Sequence, residues 1–254
     1  MLWAIDVGNT HTVVGLFDGN WREQWRLDTK NYATEDELAE VLHGLCKMSG
    51  NEFSAEGVIV GSVVPAINEP LKALAHKWLK APVRFLETGE QVGLKVDYTP
   101  PYAVGADRIA NALAALDKAR PPVIVADFGT ATTFDTVDAE GTYVGGAIMP
   151  GIEVSSESLS SRAALLPNVS LEAPERAIGK TVTESLQAGL VLGYAGAVDA
   201  LIRRIRDELG GEATVLATGG HGRLFVDLCE ELTEYDPRLT LDGLRIAWGR
   251  LESR

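Results

Sequence analysis

Residues Ala4-Ile5-Asp6-Val7-Gly8-Asn9-Thr10-His11-Thr12-Val13-Val14-Gly15-Leu16-Phe17-Asp18 decide the reading of this chain, because their grammar returns at Val125-Ala126-Asp127-Phe128-Gly129-Thr130-Ala131-Thr132-Thr133-Phe134-Asp135-Thr136-Val137-Asp138. Each copy is an apolar run, then Asp-x-Gly, then small hydroxyl or amide residues, then a second apolar run. Superposed, Asp6 meets Asp127, Gly8 meets Gly129 and Asn9 meets Thr130. An apolar strand that enters a Gly-centred turn and leaves through β-branched residues is a β-hairpin pattern. Glycine is expected to take φ > 0 there and to bring backbone N–H groups close to whatever occupies the loop. Neighbouring hydroxyls and amides suit phosphate oxygens, and an Asp at the strand end suits a cation. Turn chemistry alone accounts for one such loop. Two matched copies point to a pair of loops that grip a polyphosphate from both sides.

Composition bounds the rest. The chain has 254 residues, 46% hydrophobic and 23% charged, which is enough for two compact lobes or one large domain of a soluble protein. Its formal net charge of -13 argues against a nucleic-acid or anionic-membrane surface. An anionic substrate therefore needs local help from a metal ion, loop amides or a placed Arg. Cys46 and Cys229 both sit in apolar helical stretches and read as buried free thiols. The chain enters a strand at once, with no signal-peptide pattern. The longest apolar run, Leu186 to Ile202, contains Gln187 and Asp199 and is expected to fall short of a membrane span. These features together imply a cytoplasmic protein.

Taken in order, Leu2 to Val7, Thr12 to Phe17 and Trp21 to Leu27 read as a three-stranded meander. Thr34-x-x-Glu37 is a capping box opening a helix to about Met48. Gly57 to Val64 is a continuous β-branched run, the mark of a strand buried on both faces, and Pro65 closes it. A helix from about Ala66 to Leu79 and a strand from Val83 to Leu86 follow. After Tyr98-Thr99-Pro100-Pro101 comes Val104-Gly105-Ala106-Asp107-Arg108 and a helix to about Ala119. The meander then restarts at Val123 to Asp127, Thr132 to Val137 and Thr142 to Ile148, and a helical segment ends near Leu166. A long helical tract runs from about Thr181 to Leu209, with Gly189, Gly193 and Gly196 on it, as the spine of a second lobe or a dimer contact. Val215 to Thr218 is a last strand before Gly219-Gly220, followed by a helix to about Leu232 and a C-terminal helix from about Gly243. The expected lobes are residues 1–115 and 116–254.

The doubled hairpins and the late strand ending in Thr218-Gly219-Gly220 resemble the superfamily of acetate and sugar kinases, heat-shock chaperones and actin. Asp6-Val7-Gly8-Asn9-Thr10, Ser62-Val63-Val64-Pro65, Gly105-Ala106-Asp107-Arg108, Asp127-Phe128-Gly129-Thr130-Ala131-Thr132-Thr133 and Gly145-Gly146-Ala147-Ile148-Met149-Pro150-Gly151 narrow it: in this order they resemble the type III pantothenate kinases over essentially the whole chain. The resemblance implies an α/β fold of two duplicated ribonuclease H-like, actin-like ATPase lobes. Each lobe is a mixed sheet with a three-stranded antiparallel meander plus helices, and the active-site cleft lies between them. It also implies ATP-dependent phosphorylation of the primary hydroxyl of pantothenate, the first step of coenzyme A synthesis, with Mg²⁺, a monovalent cation (K⁺ or NH₄⁺) and a homodimer.

Carried over residue by residue, the resemblance makes Asp107 the catalytic base and Asp127 the monovalent-cation ligand. Asp6 carries Mg²⁺ through water, and the loop Asp6, Val7, Gly8, Asn9, Thr10, His11, Thr12, Val13 wraps the ATP phosphates with Thr130 from the other copy. Tyr98, Gly105, Ala106, Asp107 and Arg108 would meet the substrate, Arg108 by gripping its carboxylate through two donors. One motif departs: where family members commonly carry Gly-Lys-x-Thr, with the Thr reaching pantothenate from the partner subunit, this chain has Gly179-Lys180-Thr181-Val182-Thr183. Thr181 or Thr183 substitutes, Val182 serves through its backbone, or Thr181-x-x-Glu184 is simply a capping box. No Lys or Arg lies in either Asp-x-Gly loop. Gly179-Lys180-Thr181 lacks the earlier Gly of a P-loop. His11 reads as a solvent-facing turn residue, and His43, His76 and His221 show no metal-ligand spacing. Two alternatives stay open: a phosphotransferase of the same superfamily acting on another small hydroxy acid or sugar, and a non-catalytic nucleotide-binding regulatory module.

Overall fold

The structure, a computed structural model, describes residues 1–29, 34–163 and 165–253. Leu2–Val7 (β1), His11–Asp18 (β2) and Asn20–Asp28 (β3) form the first meander, followed by Glu35–Ser49 (α1), Gly57–Ser62 (β4), Asn68–Leu74 (α2), Val83–Leu86 (β5) and Ala106–Lys118 (α3). Val123–Phe128 (β6), Ala131–Val137 (β7) and Tyr143–Pro150 (β8) form the second meander. Ile152–Arg162 (α4), Val182–Gln187 (α5), Gly193–Glu208 (α6), Thr214–Thr218 (β9), Gly222–Val226 (α7), Glu234–Tyr235 (β10) and Leu239–Glu252 (α8) complete the chain.

The duplication read from the two hairpins extends to whole sheets. One has the order β3-β2-β1-β4-β5 and the other β8-β7-β6-β9-β10, so the Asp-x-Gly strand holds the same central place in each. Each is mixed, with an antiparallel meander and parallel pairs made by the later strands. These are the two ribonuclease H-like lobes of an actin-like α/β fold. Contacts group Met1–Ala114 with Thr240–Arg254 in one unit and Ala115–Leu239 in the other. The C-terminal helix thus belongs with the first lobe, where the sequence reading grouped it with the second.

Glycines explain that return. The ideal Cβ of Gly57 would lie 2.3 Å from Trp248, that of Gly61 2.9 Å from Leu244, and that of Gly15 2.8 Å from Leu241. Two strands, β2 and β4, thus present bare backbone to α8, whose apolar side chains settle onto one sheet face. Gly243 itself lies on Ala110 of α3, with a Cβ position 1.9 Å from the Ala110 carbonyl oxygen, and Thr240 Oγ1 donates to Asn111 Oδ1 at 2.8 Å. Nothing in a single-sequence pattern announces such a partner. The opposite face of this sheet packs Trp3, Ile5, Val7, Val14 and Leu16 against Leu42 and Cys46 of α1 and Leu71 and Leu74 of α2.

Helix α1 starts as its sequence dictates: Thr34 Oγ1 accepts from the Glu37 N–H at 3.3 Å and a Glu37 carboxylate oxygen accepts from the Thr34 N–H at 2.8 Å. Gly50, at φ 73°, closes it. The helix expected over 66–79 is composite: a 3₁₀ turn at Pro65–Ile67, α2, and a π-helical stretch at Ala75–Leu79.

In the second unit, Ile124, Ala126, Phe128 and Phe134 pack on Tyr194, Val198, Ile202 and Phe225, with the Phe128 and Phe225 rings stacked 4.9 Å apart. The long tract is α5, a π-helical stretch at Ala188–Leu192, and α6. It is long and apolar enough to cross a membrane by length and composition. Its Tyr194, Ala195, Val198 and Ile202 nevertheless serve the core of this unit, and buried Asp199 accepts N–H bonds from Glu230 and Glu231, both at 3.1 Å. Among the described residues, Gly189, Gly193 and Gly196 have no neighbour within 4 Å of a Cβ position, so no close helix approach there uses them. Cys46 and Cys229 are buried free thiols, pushed up to about 11 and about 12 by burial.

Gly243→Ala is expected to lower stability by about 1–3 kcal/mol or more, because the methyl would overlap backbone that cannot swing aside. The urea midpoint reads this directly, and an unchanged midpoint would mean that α8 does not approach α3 so closely.

Candidate active site

Both Asp-x-Gly turns are closed by a glycine N–H: Gly8 N donates to His11 O at 3.0 Å and Gly129 N to Ala131 O at 3.1 Å. Burial repeats as well, since Asp6 and Asp127 are half-buried between buried neighbours, while Asn9, Thr10, Gly129 and Thr130 are exposed. One expectation is corrected: neither Gly8 nor Gly129 adopts positive φ. At Gly8 the reason for glycine is space, because a Cβ would sit 3.1 Å from the His11 carbonyl oxygen.

The first turn has a brace that the motif did not reveal. Thr29, at the end of β3, donates its hydroxyl to Gly8 O at 2.7 Å and its N–H to Thr10 O at 2.9 Å, while Thr12 Oγ1 lies 2.9 Å from Thr29 Oγ1. The loop is therefore tied to a third strand on its carbonyl side, and Asn9 and Thr10 are exposed. Only the antiparallel register of β2 and β3, pairing His11 with Asp28, brings Thr29 there.

Asp107 sits in the first turn of α3, and its carboxylate folds back over Gly105. A Cβ at Gly105 would lie 2.4 Å from Asp107 Oδ1, so only glycine leaves the carboxylate its place. Oδ1 also accepts the Arg108 N–H at 2.9 Å. Burial nevertheless wins: it pushes the Asp107 carboxyl above its ordinary range against the lowering effect of that hydrogen bond and the Arg108 charge. Arg108 is buried and Tyr98 half-buried. Helix α3 begins against the end of β4, with Ala106 Cβ 3.5 Å from a Cβ position on Gly61 and Val63 Cγ1 3.5 Å from one on Gly105. Gly61 pairs with Asp6, and the Val63 N–H donates to Val7 O at 3.0 Å. The first unit thus brings Asp6, its loop, Gly105, Ala106, Asp107 and Arg108 to neighbouring strand ends. A pocket of about 640 Å³ in the same unit, lined by Thr88, Glu90, Lys95, Val96, Pro101 and Tyr102 among others, includes none of these residues.

Asp127, in the second unit, lies against Gly219, whose Cβ position is 2.5 Å from Asp127 Oδ1. Gly219, at φ 87°, is glycine both for that conformation and for this cradle. Tyr235 Oη donates to Gly219 O at 3.1 Å and its ring lies on Gly222, a contact no motif pointed to. Thr130 is pinned through its backbone, its carbonyl accepting from the Gly151 N–H at 3.0 Å. Tyr194, on α6, donates to Pro150 O at 2.8 Å, lies 2.8 Å from Thr132 Oγ1, and ties the meander to the helix.

At the departing motif, Thr181 caps α5: its Oγ1 accepts from the Glu184 N–H at 3.1 Å, while the Glu184 carboxylate takes the Lys180 N–H at 2.6 Å. Val182 and Thr183 are exposed. Thr181 thus serves as the cap through its hydroxyl oxygen, and Thr183 lies exposed on the first turn. Among the described residues no group of three or more His, Cys, Asp or Glu forms a metal cage. Asp6 is the carboxylate of the first turn that would hold a divalent ion, which would supply charge neutralisation on phosphate.

Known proteins bear on this geometry. A family model described as type III pantothenate kinase matches residues 2–204. A type III pantothenate kinase from Thermomicrobium roseum is 47% identical over 253 residues, covering 99% of this chain and 98% of that protein. One from Anaeromyxobacter sp. is 43% identical over 248 residues, covering 97% and 98%. Among solved structures, the activator of the 2-hydroxyisocaproyl-CoA dehydratase from Clostridium difficile with bound ADPNP superposes with a TM-score of 0.55 at 11% identity, covering 99% of this chain and 96% of that one, a likeness of fold alone. With a family match across most of its length and relatives this similar end to end, the chain belongs to the type III pantothenate kinase family.

Proposed function

We propose that this chain transfers the γ-phosphoryl group of ATP to the primary hydroxyl of pantothenate, the first step towards coenzyme A, with Asp107 accepting the hydroxyl proton. The observation that carries this is the placement of Asp107: a desolvated carboxylate one strand away from the Asp6 loop, in a member of this kinase family. The pantothenate oxygen forms a bond to the γ-phosphorus as the bond to the β-phosphate oxygen breaks, the proton passes to Asp107, and ADP leaves. A carboxylate is a weak base towards an alcohol, so Asp107 first orients the hydroxyl and takes the proton late. A raised pKa brings it nearer that task.

The Asp6–Val13 loop, braced on its carbonyl side by Thr29, and the exposed residue Thr130 would hold the nucleotide phosphates. Asp6 would carry Mg²⁺, which supplies charge neutralisation on the transferred group. Asp127, cradled by Gly219, would hold K⁺ or NH₄⁺, adding positive charge where the second loop has no Lys or Arg. Arg108, Tyr98, Gly105 and Ala106 would hold the acid. At the α5 start the contact would come from Thr183, from the Val182 backbone, or from Thr181, whose cap uses its hydroxyl only as an acceptor. A homodimer belongs to this reading, and exposed Ile148, Val154, Leu159, Ile178 and Val182, together with the open face at Gly189, Gly193 and Gly196, support a protein surface there. So does a cytosolic setting, since the apolar tract contributes to a lobe core.

A coupled assay should find ADP release that requires pantothenate and rises steeply with potassium or ammonium; ATP hydrolysis indifferent to pantothenate would favour a nucleotide-gated module instead. Asp107→Asn should still bind ATP and lose at least about a hundredfold in turnover. Its stability should move the other way. Because the folded state holds the Asp107 proton more tightly than the unfolded chain, ionisation costs stability as pH rises from the ordinary carboxylate value through the folded one. Asp107→Asn should therefore melt above wild type at neutral pH, with the gap closing as pH falls towards about 4. For wild type, kcat/KM for pantothenate should fall on acidification at a pH above that of an ordinary carboxylate.

A further inference from the structure

The sheet register places one more charged residue in line with the proposed machinery. Directly paired residues share a sheet face, and the pairs Gly61↔Asp6, Asp6↔Val13 and Val13↔Arg26 form a single row across β4, β1, β2 and β3. Ala106, beside Asp107, stands over Gly61 at one end of this row, and Arg26 is at the other end, with Asp6 between. Two strand spacings separate Arg26 from Asp6 at the backbone, about 10 Å, a gap its long side chain readily narrows. The guanidinium is drawn towards the turn: Arg26 Nη2 donates to His11 Nδ1 at 2.9 Å and lies 3.3 Å from Nε2. His11 belongs to the phosphate loop, is 30% exposed, and must present an unprotonated nitrogen to accept this bond. Arg26 is exposed, and its remaining donors are available to a ligand. Asp28 Oδ1 is the acidic group nearby, 3.9 Å from His11 Nε2 and 84% exposed.

We infer that Arg26, held over the turn by His11, is a cationic binding residue for the leaving side of the nucleotide. This rests on the reading of the Asp6–Val13 loop as the phosphate loop. In-line transfer orders the acceptor oxygen, the γ-phosphorus and the β-phosphate oxygen along one axis. The row presents the same order in protein groups: the base at Asp107, the metal carboxylate at Asp6, and a cation beyond it. Charge grows on the β-phosphate as ADP departs, and a guanidinium there stabilises it. The positive charge missing from the loop sequence is delivered by the neighbouring strand.

Equilibrium binding of ADP and of an ATP analogue with a non-hydrolysable β–γ bridge, with Mg²⁺, to wild type and Arg26→Ala tests this. Arg26→Ala should weaken both about tenfold or more, as loss of a charge-assisted hydrogen bond does, flatten the salt dependence of binding, and leave the melting temperature and the KM for pantothenate unchanged. Arg26→Lys should recover part of the affinity, and His11→Ala should lose part of it. If wild type binds the nucleotides and Arg26→Ala binds them within twofold with the same salt dependence, the inference fails while the phosphate-loop reading stands. If wild type binds neither nucleotide, both fail.

Discussion

The start of α3 holds a carboxylate largely out of water, and the proton transfer proposed for Asp107 depends on that placement. Gly105 lends the space of its missing side chain to the Asp107 carboxylate, the Arg108 N–H holds one oxygen, and burial opposes both. The balance leaves a carboxyl that holds its proton longer than a surface aspartate does. Helix α3 in turn is seated by Ala106 on Gly61 and by α8 on Ala110, so contacts far along the chain set the position of this one group. Desolvation of this kind is a stability cost, located here at the residue proposed to accept the hydroxyl proton.

The charge balance follows the same economy. A chain with a formal net charge of -13 that handles a polyanion cannot rely on a basic surface. In the proposed function the first unit would answer with local means: loop amides, the Asp6 carboxylate for a divalent ion, and Arg26 held over the turn by His11. The second unit has Asp127 against Gly219, whose carbonyl is held by Tyr235, and this is where the proposed monovalent cation would add positive charge.

Much of this was legible in the residues, because hairpin turns, capping boxes and buried strands are local patterns. Asp6, Asp127 and their turns, the Thr34 cap of α1 and the doubly buried β4 stand where periodicity and turn chemistry put them. What escaped depends on pairing between distant residues. Thr29 and Arg26 reach the first loop only through the β2–β3 register, Tyr235 reaches Gly219 through the short parallel strand β10, and α8 returns to the first sheet by fitting glycines spread from position 15 to 61. Glycine itself misled at Gly8, where the turn needed room rather than positive φ. The π-helical stretches at Ala75–Leu79 and Ala188–Leu192 left no mark in the apolar spacing.

The claim on which the account turns is that the protein's packing raises the Asp107 carboxyl while keeping it placed for proton transfer. Carbon-13 labelling of aspartate side chains, with the Asp107 signal assigned by its loss in the asparagine variant, allows its titration to be followed in the folded protein. The account predicts a midpoint above the ordinary aspartate value of 3.8, and a midpoint at or below that value would contradict it.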